Sequence, residues 1–212
     1  KILLAALLLM CANLSASSIW LEAERFSVKG GWVLDQQFMD LMGSPYLMAH
    51  GLGQPVADAV TETDIPESGQ WHVYVRTFNW TSPWTSKEGP GAFKVKIGGK
   101  LLKTVLGTKG DCWQWQYAGK VNLKAGKTSV ALCDLTGFNG RCDAVYLTTD
   151  QSVVLPEEPS ALNTFRRSHL DIPDPQSKTH DFVVVGGGIA GMCAAVAAAR
   201  LGCNVALVNG RP

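Results

Sequence analysis

The chain has 212 residues, of which 19 are basic and 18 are acidic, and its formal net charge at pH 7 is +1. A charge this close to zero excludes the strong positive field with which nucleic-acid-binding domains attract phosphate backbones, so we expect no nucleic-acid partner. The length allows one or two domains, and a hydrophobic content of 46% is that of a globular chain.

The first residues have the pattern of a secretory signal. Lys1 precedes an uninterrupted apolar run, Ile2 to Met10, and small residues occupy positions 15–18. The run is too short to cross a bilayer comfortably, whereas signal peptides contain apolar regions of this length. We predict that residues 1–18 are a signal peptide cleaved near Ala16 or Ser17. The mature protein is then exported, to the periplasm or the extracellular space, without a transmembrane segment.

Residues 19–150 alternate short strand-like runs with turn residues. The runs 71–78 and 92–97 are examples, and Gly98-Gly99 has the composition of a two-residue hairpin turn. No segment keeps the 3.6-residue period of a helix for long. Strands of this length and spacing predict an antiparallel β-sandwich of the jelly-roll type.

All seven tryptophans lie in this region. Trp20, Trp71 and Phe93 are within strand-like runs, so we predict that they fill the core. Trp80 and Trp84 lie between strands, where an exposed aromatic face can stack on a sugar ring. For these two residues the sequence leaves core packing and a surface role open.

Cysteines and acidic residues define no catalytic or metal site. Cys133 and Cys142 flank a plausible hairpin, which leaves a cross-strand disulfide open in an oxidising compartment. No cysteine pair has the spacing of a zinc site, so we predict no metal. No nucleophile, base and acid stand at catalytic spacing, and the catalytic residues stay unknown.

Residues 151–180 are predicted to be a linker with a short helix. Ser160 follows Pro159 and is positioned to cap a helix over 161–170. Residues 174–179 then have the composition of an exposed connection. The predicted organisation is therefore a signal (1–18), a sandwich (19–150), a linker (151–180) and a nucleotide-binding segment (181–212).

Residues 181–212 carry the most specific pattern of the chain. An apolar strand, 182–185, leads into three spaced glycines; an alanine-rich helix follows, and a second apolar strand covers 205–208. The glycines are Gly186, Gly188 and Gly191. This order is the opening β-α-β of a Rossmann-like dinucleotide-binding domain. Because that fold needs further strands, we expect the chain to be a fragment of a longer protein.

Each glycine has a predicted role. Gly186 permits the turn out of the strand, Gly188 lets the backbone approach a pyrophosphate, and Gly191 lets the helix lie close to the strand. The N terminus of the helix offers unpaired N–H groups to the phosphates. Asn209 stands where an acidic residue usually binds the ribose, and Arg211 could face a 2′-phosphate, which keeps NAD(P) open as the alternative cofactor.

The sequence of this segment resembles that of FAD-dependent oxidoreductases of the two-dinucleotide-binding type. It is most similar to a secreted bacterial group with a β-sandwich ahead of the flavin domain. The resemblance implies that FAD is the cofactor and that Asn209 lies beside its ribose. It further implies that the pyrophosphate is lined by Gly186, Gly188, Ile189, Ala190 and Gly191.

The sandwich has a looser resemblance of its own. The stretches 19–24 and 140–147 resemble galactose-binding-like carbohydrate modules. Together the two resemblances imply an FAD-dependent oxidoreductase that acts on a small molecule or a carbohydrate-related substrate, the fragment itself being inactive. Two alternatives stay open: an NAD(P)-dependent oxidoreductase, and a fragment that acts only as a glycan-binding module.

Overall fold

The structure, a computed structural model, describes residues 16–85, 87–172 and 177–209. Most of the predicted signal, including Lys1 to Met10, lies outside the described residues, as does Arg211. The chain divides into two compact units, residues 1–171 and 172–212, and we describe each by itself. No helix in the described part of the chain is long and apolar enough to span a membrane.

Unit 1 is built mainly from short antiparallel strands. In chain order it contains β1 (Ser18–Glu22), a 3-10 helix (Ala23–Arg25), β2 (Trp32–Asp35), α1 (Met39–Met42), β3 (Tyr46–His50), β4 (Ala59–Ile65), β5 (Gly69–Thr77), β6 (Phe93–Ile97), β7 (Lys100–Leu101), β8 (Gln114–Leu123), β9 (Gly126–Asp134), β10 (Phe138–Thr148) and α2 (Pro159–His169). The predicted Gly98-Gly99 turn joins β6 to β7.

The strands form two sheets. One has the order β2-β3-β10-β5-β8, and β1 also pairs with β10, opposite residues 144–148. The other has the order β4-β9-β6-β7. All pairings in both sheets are antiparallel, and strands adjacent in sequence repeatedly lie in different sheets. The predicted jelly-roll sandwich is confirmed.

The main core lies between the two sheets. Because side chains alternate along a strand, the strands that line the core contribute alternate residues to it. On β6 the inward residues are Phe93, Val95 and Ile97, and on β5 they are Trp71, Val73 and Val75. The predicted burial of Trp71 and Phe93 is confirmed.

Helix α2 covers the outer face of the larger sheet. Trp20 and Tyr146, which point away from the main core, pack there with Leu162 and the half-buried Phe165. Trp20 is therefore buried as predicted, but in this outer cluster. The helix begins at Pro159, so its N-cap is Glu158, which accepts from the backbone amides at positions 160 and 161, and not Ser160. Proline suits the first helical position, which explains the earlier start.

The disulfide left open between Cys133 and Cys142 is not formed. Both are free thiols, and β9 and β10, which carry them, belong to different sheets. The Cys133 thiol instead donates to Asp58 Oδ2 at 3.2 Å. The intervening segment carries the chain from one sheet to the other and is not a hairpin.

Unit 2 contains two parallel strands and one helix. Strand β11 (Phe182–Val185) pairs in register with β12 (Val205–Val208), and α3 (Ile189–Arg200) connects them. After α3 the amides of Gly202 and Cys203 bond back to Ala199 and Ala198. This is the Schellman pattern that a glycine after a helix favours. The predicted β-α-β is confirmed.

Candidate functional site

The first candidate site is the loop between β11 and α3. Gly186 directly follows β11 and has a φ of +110°, a conformation that residues with a Cβ rarely adopt. Its amide donates to Val208 O at 2.8 Å, which extends the pairing of the two strands by one bond. The loop therefore leaves the sheet edge at a defined point.

Gly191 lies where the helix crosses the loop. A Cβ built on it would stand 2.0 Å from Gly186 O and 3.2 Å from a methyl carbon of Val184. No side chain fits, because the first contact is with backbone. The absence of a side chain at position 191 thus sets the close approach of α3 to β11.

Gly188 is the N-cap of α3, and the direction in which a side chain would point from it is open space. A Cβ there would meet nothing within 4 Å, and no side chain caps the helix. The amides of the first helical turn, at Ile189 and Ala190, have no acceptor within the helix. They present partial positive charge to the same open space, which is the arrangement that binds phosphate groups.

Asn209 is brought to this loop from the end of β12. Its Oδ1 accepts the amide of Gly187 at 3.3 Å, across 22 positions of sequence. The six residues predicted to bind the cofactor therefore lie around one loop: Gly186, Gly188, Ile189, Ala190, Gly191 and Asn209. Their contact with a cofactor stays a prediction. The geometry suits a diphosphate, since it supplies amide donors, a helix N terminus and space.

A second candidate site lies in unit 1, in a cavity of about 830 Å³ between two loops. Trp84 lines it and is 77% exposed. Trp80 is half-buried, and its indole N–H donates to Phe138 O at 2.9 Å. The two rings meet edge to face with centroids 6.2 Å apart. Of the two tryptophans left open by the sequence, Trp84 is a surface residue and Trp80 supports it.

A buried cluster of charges lies under α2. Arg166 makes two hydrogen bonds to Glu22, of 2.6 and 2.8 Å, and a third to Gly43 O at 3.2 Å. Nearby, Arg76 pairs with Asp143 at 3.2 Å, and both side chains are buried. Among the described residues, no group of His, Cys, Asp or Glu is arranged to hold a metal.

The carboxyl groups of this cluster differ in protonation. Burial opposes the charge of Glu22, but the hydrogen bonds and charge of Arg166 outweigh it and lower its pKa. Burial, and then the neighbouring Glu22 carboxylate, raise the pKa of Glu24 to about 10, and its Oε2 has no hydrogen-bond partner. Burial also raises the pKa of Asp143 to about 7 against the pull of Arg76. Near neutrality Glu24 is therefore a neutral acid.

The glycine loop is the site that a comparison with known families matches. Residues 181–212 match the model of the FAD-dependent oxidoreductase family. Hereafter we call residues 181–212 the FAD-oxidoreductase-like segment. Comparison with curated proteins gives no match.

The chain is similar in fold to part of a solved structure that carries a carbohydrate-binding module. A GH26-CBM35 β-(1,4)-mannanase of Podospora anserina aligns with a TM-score of 0.50 and 15% identity, over 64% of this chain and 28% of that one. A family 35 carbohydrate-binding module from Clostridium thermocellum aligns with a TM-score of 0.47 and 17% identity, over 62% of this chain and 97% of that one. A family 35 carbohydrate-binding module from an environmental isolate aligns with a TM-score of 0.44 and 19% identity, over 65% of this chain and 98% of that one. The chain thus spans about a quarter of the mannanase structure.

The charge cluster is the part of the molecule that the sequence did not predict. Glu22, Glu24 and Asp143 stand in the stretches that carry the sandwich resemblance, so their positions were visible. An acidic residue within an otherwise apolar strand-like run was the available signal, as a buried charge needs a partner. The partner, Arg166, is 144 positions from Glu22, so no local pattern in the sequence indicates the pair.

Proposed function

We propose that the protein is an exported FAD-dependent oxidoreductase, with the FAD-oxidoreductase-like segment binding the diphosphate of FAD. The observation that carries the proposal is the glycine loop. Its helix N terminus faces open space at Gly188, and Gly191 holds α3 against β11. The family match of residues 181–212 supports FAD over NAD(P). The pattern of residues 1–18 supports export, and sequencing the N terminus of the mature protein tests it.

The chain's own groups would bind and orient the cofactor. The amides of Ile189 and Ala190 would donate to diphosphate oxygens, and the α3 dipole would stabilise their negative charge. Asn209, held to the loop through Gly187, would lie beside the adenosine ribose. When bound, FAD supplies the capacity to accept a hydride from a substrate.

Two glycine substitutions separate cofactor binding from folding. We expect Gly188→Val to weaken FAD binding at least about ten-fold with little effect on thermal unfolding, because its new side chain enters space that no protein atom occupies. Gly191→Val should lower both FAD content and stability, because its side chain overlaps Gly186 O. FAD content is measured from the flavin absorbance of the purified protein and of the chromophore released on denaturation.

The control is Gly69→Ala in the sandwich, where an added Cβ also meets nothing within 4 Å. It should change neither measurement. A protein that contains no flavin, or a Gly188→Val variant that retains all of it, would contradict the proposal.

We further propose that the sandwich binds carbohydrate and brings a carbohydrate-related substrate to the enzyme. The similarity of its fold to carbohydrate-binding modules and the exposed ring of Trp84 support this role. Retention of the protein on immobilised glycans tests it. If the protein is retained on none of the glycans tried, the proposed carbohydrate-binding role of the sandwich is wrong.

A further inference from the structure

We propose that the cavity beside Trp84 is the carbohydrate site of the sandwich and that it selects uncharged sugars over uronic or sulfated ones. This inference rests on the proposed glycan-binding role and adds its location and its ligand class. The cavity is lined by residues 79, 82–85, 87, 88 and 108–111. We call it the Trp84 groove.

The stacking surface of the groove is held in place before any ligand binds. Trp84 contacts Trp80 edge to face, and Trp80 is anchored by its bond to Phe138 O. The Trp84 amide donates to Thr81 O at 3.0 Å, which fixes the backbone. A large aromatic side chain that is 77% exposed on a fixed turn loses little conformational freedom on binding. The flat face of the Trp84 indole can stack against the C–H groups of a sugar ring.

Neutral hydroxyl and amide groups line the wall. Thr108 and Asn79 are buried with 7% and 3% exposure, and Ser82 Oγ is buried without a hydrogen-bond partner. Asn79 Oδ1 accepts from the backbone and hydroxyl of Thr81, so the loop is ordered around it. Hydroxyl groups both donate and accept, which matches the hydroxyl groups of a sugar.

The charges on the rim cancel. Lys87 and Lys109 line the groove together with Glu88 and Asp111. Lys109 and Glu88 lie 3.3 Å apart, with side chains 72% and 70% exposed. Lys109 has the Glu88 carboxylate beside it, and the other two charged residues of the lining, Lys87 and Asp111, are opposite in sign, so the formal charges of the lining sum to zero. The balance therefore favours an uncharged ligand.

The size of the groove agrees with a carbohydrate ligand. Its volume of about 830 Å³ lies within the range of about 300–1,000 Å³ that small-molecule sites occupy.

The test is binding of the whole chain to matched pairs of oligosaccharides by titration calorimetry. Neutral gluco-, manno- and galacto-oligosaccharides are compared with uronate oligosaccharides of the same length, at low and high salt. We expect a neutral ligand to bind with an affinity that salt leaves unchanged. Trp84→Ala should weaken it at least about ten-fold, and Trp84→Tyr, which keeps a ring, by less. Val154→Ala, at an apolar residue with 90% exposure outside the groove, is the matched control.

A charge variant tests the ligand class directly. Glu88→Gln with Asp111→Asn leaves both lysines unbalanced, so it should bind uronate oligosaccharides more tightly than wild type at low salt, and high salt should abolish the gain. Preference of the wild type for uronates, lost in Trp84→Ala, would overturn the ligand class but not the glycan-binding role. Neutral binding that survives Trp84→Ala would overturn the location. Failure to bind any glycan would overturn the proposed role and this inference together.

Discussion

At the residue scale, the neutral state of Glu24 makes folding sensitive to pH. Its pKa is raised from 4.5 to about 10 by burial and by Glu22, so the folded chain keeps a proton that the unfolded chain releases above pH 4.5. Stability is then fully present below pH 4.5 and is lost progressively as the pH rises towards 10. Asp143, whose pKa burial raises from 3.8 to about 7, also lowers the stability as the pH rises, over a narrower pH range. Arg166 keeps its charge over this pH range, because its hydrogen bonds to Glu22 raise its already high pKa.

Glu24→Gln should reduce this loss, because an amide has the shape of the neutral acid and no proton to release. We expect the free energy of unfolding of the variant to fall at least about 1 kcal/mol less than that of wild type between pH 5 and pH 9. Denaturant titrations at pH 5, 7 and 9 measure the difference. Glu62→Gln, at an exposed position on β4, is the matched control. Parallel pH profiles for wild type and Glu24→Gln would contradict the assignment.

At the element scale, α2 is held to the sandwich by both apolar and charged contacts. Leu162 is fully buried, and Phe165 packs against Trp20 and Tyr146. Arg166 supplies the positive charge that Glu22 requires. A helix of eleven residues is marginal in water without such contacts. The outer face of the sheet and the helix therefore stabilise each other.

Removing Arg166 should be costly because it leaves Glu22 buried without a counter-charge. We expect Arg166→Met to lower the free energy of unfolding by about 3–5 kcal/mol. Adding Glu22→Gln to it should recover part of that loss, since the unpaired charge is then removed as well. Chemical denaturation of the two single variants and the double variant measures the coupling. Strictly additive effects would show that the pair does not interact.

At the scale of the whole molecule, the first compact unit continues through α2 to Asp171. The strands alone, up to about residue 150, expose Trp20 and Tyr146, which are 5% and 3% exposed in the full unit. They also lack the counter-charge to Glu22. The glycine loop belongs to the second unit.

We therefore expect a chain of residues 16–171 to unfold cooperatively on heating and a chain of residues 16–150 to lose that transition. The shorter chain should also bind a hydrophobic dye, because its outer sheet face is uncovered. Circular dichroism and dye fluorescence compare the two. An unchanged melting temperature for residues 16–150 would show that α2 contributes nothing to the fold.

The sequence by itself determined the features that depend on neighbours in the chain. The spacing of Gly186, Gly188 and Gly191 predicted the β-α-β, because a turn and a helix start are local events. Alternation along runs such as 93–97 predicted strands and a sandwich, since period two separates inward from outward residues. The gathering of Asn209 at the loop followed from the same local unit.

Only the tertiary structure decided which distant residues meet. The pairing of Arg166 with Glu22 spans 144 positions, and the separation of Cys133 from Cys142 depends on which sheet each strand joins. The Trp84 groove likewise depends on two loops, distant in sequence, that the fold brings together. Contacts of this kind are chosen by the burial of the whole core, and no short stretch of sequence contains that information.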